Sequence, residues 1–214
     1  MLNKSFFSKF SRRRFTGLAV TALFGLVLTS NPGIAWADEA QDAKDFLQNL
    51  AEESIDTLGS EAGTEAEHKA AFKTLLNQNF DLKAISRFVL GRYWRAASEE
   101  EQQAFTSVFE DLLADRFVPL FKGSSTSDFS LGTATLRGGD RPYVIVASKV
   151  KLDGGTIGNV NWRIVNKDGK FLIQDVIAEG ASMAITLRSE YNSVLRQNNG
   201  SVTKLVEDLR RKVK

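Results

Sequence analysis

Between residues 80 and 121 the apolar positions recur at helical spacing. Phe105, Val108, Phe109, Leu112, Leu113, Phe117, Leu120 and Phe121 fall at i, i+3, i+4 and i+7, one broad face of an amphipathic helix. Half of these eight are Phe, so the stripe needs a large apolar partner. Ser98 with Glu101 three residues on predicts the start of this helix. The Ser oxygen takes a free backbone N–H and the Glu reaches back to the cap. Pro119 lacks a backbone donor and predicts a kink or a stop in the last turn.

The chain before this stretch is helical too. Asp38 and Gln41 open a helix whose apolar face is Ala43, Phe46, Leu47, Leu50 and Leu58, with Gly59 placed to end it. Thr64 and Glu67 form a second capping box ahead of Ala71, Phe72, Leu75 and Leu76. Asp81 caps a short segment carrying Leu82, Ile85, Phe88 and Val89, which Gly91 ends.

From Gly123 the period changes from 3.6 to two. Four strand-like runs cover roughly 129–136, 143–152, 157–165 and 170–177. Gly138-Gly139-Asp140, Asp153-Gly154-Gly155 and Lys167-Asp168-Gly169 separate them, and such short turns predict consecutive hairpins. Val144, Val146, Val150 and Leu152 share one side; Val160, Trp162 and Ile164 share another. Two closing helices follow, with Met183, Leu187, Tyr191, Val194 and Leu195 on one and Leu205, Val206 and Leu209 on the other. The predicted class is α+β: a helical N-terminal half, a four-stranded antiparallel meander and two C-terminal helices.

Charge changes the picture only after the N-terminus is set apart. Lys4, Lys9 and Arg12 to Arg14 precede an apolar run over 18–28, Pro32 and Ala35-Trp36-Ala37. This is the layout of an export leader over residues 1–37, cut after Ala37, with an apolar run too short to span a bilayer comfortably. Ser11-Arg12-Arg13-Arg14-Phe15 also fits the twin-arginine pattern. A plain secretory leader and an uncleaved anchor are the alternatives. The 177 residues that remain, 38–214, make one domain with 23 basic against 26 acidic groups, net −3. No basic stripe for nucleic acid is left.

Candidate chemistry is sparse. The chain has one His and no Cys, so thiolate metal sites and disulfides are excluded and no metal or cofactor is expected. His68 lies in the charged run 65–69, with nothing nearby to orient it. A Ser182–Asp175–His68 triad is conceivable, but Gly180-Ala181-Ser182-Met183-Ala184 lacks the second Gly of a nucleophile elbow. Arg92-Tyr93-Trp94-Arg95 reads either as a helix corner with solvated arginines or as an aromatic and cationic rim for a polar headgroup.

Phe88-Val89-Leu90-Gly91-Arg92-Tyr93-Trp94-Arg95, the polar run 98–102 and the Phe105/Phe109/Leu113 helix resemble the Mla-pathway periplasmic phospholipid carriers (MlaC-like, the toluene-tolerance family). Asp175-Val176, Glu179-Gly180-Ala181-Ser182, Arg188-Ser189-Glu190-Tyr191 and the Leu205…Leu209 helix extend the resemblance over nearly all of the mature chain. The family usually has Trp near Phe171, a branched residue at Ala181 and Phe at Tyr191, departures that bear on the choice of lipid. A hopanoid-associated branch shares the pattern. The resemblance implies a non-enzymatic periplasmic carrier. Its expected partners are phospholipid, an inner-membrane ABC transporter complex and an outer-membrane lipoprotein complex, and a monomer is expected.

The expected site is an apolar cavity between sheet and helices. Phe88, Val89, Trp94, Phe109, Leu112, Val146, Trp162 and Ile164 are the expected acyl-chain contacts, and Arg92 and Arg95 the expected headgroup or docking residues. A periplasmic adaptor with a solid core is the competing reading. An internal void separates the two.

Overall fold

The computed structural model describes residues 32–151 and 157–213, with side chains from residue 38 onward. The leader expected over 1–37 lies outside the described residues, apart from the helical backbone of its last six. So does the turn Asp153-Gly154-Gly155.

The helical half comprises α1 (Pro32–Leu58), α2 (Glu65–Asn79), α3 (Leu82–Leu90), α4 (Arg92–Ala96) and α5 (Glu99–Phe121). Both capping boxes form: Thr64 and Ser98 each accept the N–H of the Glu three residues on, and that Glu accepts the cap's own N–H. Asp81 caps α3 through the Ala84 N–H at 3.3 Å. Pro32 is the first described residue of α1. Pro119 is carried within α5, which ends two residues later.

A 3₁₀ turn (Thr126–Asp128) leads into β1 (Phe129–Arg137), β2 (Tyr143–Lys151), β3 (Ile157–Lys167) and β4 (Lys170–Ala178). These pair as the expected antiparallel meander, with Val144 opposite Ile164 and Val146 opposite Trp162. The strand count differs. Ala181–Ser182 turns back on β4 as a two-residue β5 before α6 (Met183–Gln197) and α7 (Val202–Arg210). Gly180, at φ 81°, provides the tight reversal that a hydrophobic pattern does not register.

The buried residues gather in two clusters. One is helical: Val89, Leu90 and Trp94 with Phe105, Phe109, Tyr191, Leu195 and Leu205, from α3 to α7. The other joins Ala43, Leu47 and Leu75 of α1 and α2 to Val144, Val146, Ile164 and Ile173 on the inner face of the sheet. The α2–α3 junction ties helices to sheet. Phe80 bridges Ile173, the Asp81 N–H donates to the Ile173 carbonyl at 2.9 Å, and the Asp81 carboxylate meets Lys167 and Gln174.

Two glycines are dictated by geometry. Gly91, between α3 and α4, has φ 59° and ψ −122°, a region closed to residues with a Cβ. A side chain there would also press on the Arg188 guanidinium, whose Nη1 donates to the Phe88 carbonyl. Gly59 ends α1 without a positive φ. A methyl group on it would stand 2.5 Å from the Ile55 carbonyl oxygen and 3.1 Å from that of Ser124, so crowding by the last turn of α1, with the 121–124 turn beside it, is the reason for glycine.

Candidate functional site

Between the two clusters lies a cavity of about 830 Å³, walled mostly by apolar side chains. Each wall follows from a local pattern. On α5, Phe109, Leu113, Phe117 and Phe121 stand at successive i+4 positions and form one ridge along the cavity. Leu47, Leu50, Ala51 and Ile55 of α1, with Phe72, Leu75 and Leu76 of α2, form the facing wall. Trp162 and Val176 rise from the sheet, and Ile85, Met183 and Leu187 close the side toward α3 and α6.

The polar ends of these side chains are settled. Trp162 Nε1 donates to Ser148 Oγ at 2.9 Å, and Ser148 Oγ donates to the Val160 carbonyl at 3.1 Å. The indole can therefore turn its apolar face inward without stranding a donor. Gln174 donates to Asp81 at 2.9 Å. Asp175 accepts Ser182 Oγ at 2.5 Å and the Ala184 N–H at 3.0 Å, placing a carboxylate at the start of α6 where the helix dipole favours it.

Of the expected acyl-chain contacts, Phe109 and Trp162 line the cavity. The other six do not. Val89, Trp94 and Leu112 belong to the helical cluster, while Val146 and Ile164 are fully enclosed in the sheet cluster. Phe88 is 41% exposed, and the Arg188 guanidinium covers its ring at 4.8 Å. Arg92 and Arg95 are exposed on α4, away from the lining; Arg92 Nη2 donates to the Tyr93 hydroxyl at 2.8 Å. The reason is one of direction. Helical spacing marks α5 as apolar along its length, but its N-terminal half meets α6 and α7, whereas its C-terminal half packs on α2 and turns only one ridge to the cavity. Leu113, Phe117 and Phe121 were in the stripe already. The i+4 row running on from Phe109 is the signal that singles them out.

The conceivable triad is not assembled. Ser182 meets Asp175 directly and caps α6 through the Ile185 N–H, with no imidazole between. His68 is bonded to the Ala62 carbonyl at 3.0 Å. Among the described residues no group of three or more His, Asp or Glu could hold a metal ion, and no helix is long and apolar enough to cross a membrane.

The sequence model of a protein family described as MlaC protein matches residues 48–211, which takes in every wall of the cavity except Leu47. Among solved structures, the phospholipid-binding protein from Ralstonia solanacearum, determined in complex with a phospholipid, superposes with a TM-score of 0.66. It is 19% identical, and the match covers 79% of this chain and 95% of that one. At that identity the likeness establishes the fold.

Proposed function

Since the chain belongs to the MlaC protein family, we propose that it is a phospholipid carrier of the periplasm, holding acyl chains in the cavity between its two cores. The observation that carries this is the cavity itself. A surface adaptor has no use for about 830 Å³ of apolar-walled space, which approaches the upper end of the usual range for ligand pockets, about 1,000 Å³. Apolar walls left facing water forgo the stabilisation that burial gives, about 25 cal/mol per Å². Hydrocarbon from a guest restores it. In return, two tails of about 30 carbons gain on the order of 20 kcal/mol over exposure to water, at about 0.8 kcal/mol per CH₂.

No chemistry on the lipid is needed. The carrier exchanges cargo between the outer membrane, at a lipoprotein complex, and an inner-membrane ABC transporter. Export by the leader brings it to the periplasm. The Ralstonia protein's phospholipid supports the reading by likeness of fold.

Native mass spectrometry of protein purified from the periplasm tests it. Adducts of phospholipid mass are expected, together with a mature N-terminus at Asp38. A chain that always arrives without lipid and takes none from phospholipid vesicles overturns the proposal.

A further inference from the structure

The charged groups of the cavity wall are unevenly placed. Four charged residues line it: Lys122, Asp128, Lys151 and Asp175. Asp175 is already bonded to Ser182 and to the Ala184 N–H. The other three belong to one end, where the chain leaves α5, crosses the end of α1 and enters β1. Leu120, 58% exposed, forms an apolar lip there, and Ser124 and Ser125 complete a polar edge.

The carboxylate of this edge is largely spoken for. Asp128 Oδ2 accepts the Ser125 N–H at 2.8 Å and the Ser125 hydroxyl at 3.0 Å, leaving Oδ1 to Lys151 at 3.3 Å. That ion pair is exposed on its lysine side, so exchange for another anion costs little. Lys122 is exposed and has no ion pair among the described residues. Two lysines thus line an apolar cavity at the end where its wall turns polar. A molecule with a hydrocarbon body and one anionic group fits this arrangement in a single orientation.

We infer that Lys122 and Lys151 form a phosphodiester-binding rim at the mouth of the cavity, so that lipid lies tails inward with its phosphate beside the 122–128 turn. The inference rests on the carrier reading and adds to it the entry end and the anion recognised.

The test compares delipidated protein given detergent-solubilised dioleoylphosphatidylglycerol with the same protein given dioleoylglycerol, which has the same tails and no phosphate. Native mass spectrometry reads the occupancy of each. The wild type is expected to favour the phospholipid about tenfold, the effect of two exposed charge pairs. Lys122→Ala/Lys151→Ala should lose the preference while taking up dioleoylglycerol as before, and Lys122→Arg/Lys151→Arg should keep it. Equal uptake of both lipids by the wild type, or a preference that survives the double Ala change, overturns the rim while leaving the carrier intact. Failure of both lipids to enter overturns the rim and the carrier together. Inorganic phosphate alone, followed by NMR at the two lysines, separates a headgroup site from a free-phosphate site. Shifts as large as those given by the lipid would overturn the lipid assignment.

Discussion

Asp81 is where a single side chain holds two layers together. Its carboxylate is 7% exposed at the residue level, and burial pushes its pKa upward. The Lys167 ammonium, the Gln174 amide and the Ala84 N–H outweigh that push and hold it below its ordinary value of 3.8. The unfolded chain therefore takes up this proton at a higher pH than the folded one. The stabilisation is fully present above pH 3.8 and is lost as pH falls through the folded value. Asp81→Asn should destabilise the protein by about 1–3 kcal/mol at neutral pH, as expected for hydrogen bonds to a charged group. Urea unfolding from pH 7 downward checks the sign: the gap between variant and wild type should close below about pH 4. A gap that widens in acid would contradict this account.

α5 is the element with two jobs. At its N-terminal half Phe105 is fully buried, stacked on Phe109 at 5.7 Å and edge-on to Tyr191 at 5.9 Å. Farther along, Phe117 lines the cavity and lies 6.5 Å from Phe72. Truncation should separate the two roles. Phe105→Ala leaves a hole in a packed cluster and should cost about 3–5 kcal/mol. Phe117→Ala enlarges a space that already exists and should cost less than about half of that, but it should weaken lipid retention. Denaturation midpoints and lipid occupancy measured on both variants give the comparison. Similar stability losses at the two positions would mean that the C-terminal half of α5 is packed as tightly as the rest.

Across the whole molecule, the separation of two cores is what makes the cavity. A domain of this size ordinarily has one contiguous core. Here the helical cluster and the sheet cluster approach each other through α5, α3 and α6 without fusing. Filling the gap covalently should therefore trade function for stability. Ala51→Trp places an indole in the cavity from the α1 wall. The variant is expected to fold, to purify without lipid, and to melt at the same temperature before and after delipidation. The wild type should melt lower once its cargo is removed, because a ligand bound only to the folded state stabilises it. A wild type indifferent to delipidation would count against a cavity that needs a guest.

The local pattern alone determined the order of helices and hairpins, the caps at Thr64, Asp81 and Ser98, and the α+β class. Those features depend on neighbours a few residues away, which periodicity and turn chemistry record. The division of apolar residues between core and cavity wall is not recorded there. A Phe facing another side chain and a Phe facing space carry the same spacing, which is why Val89, Trp94, Val146 and Ile164 looked equal to Phe109 and Trp162. The residues that α1 and α2 bring to the wall, Leu50 and Phe72 among them, owe their place to contacts across the sheet and helices. Lys151 reaches Asp128 of the 126–128 turn only when β2 returns along β1. Which faces meet and which stay apart is a property of the folded arrangement, because it depends on how far two packed layers can approach before their own side chains stop them.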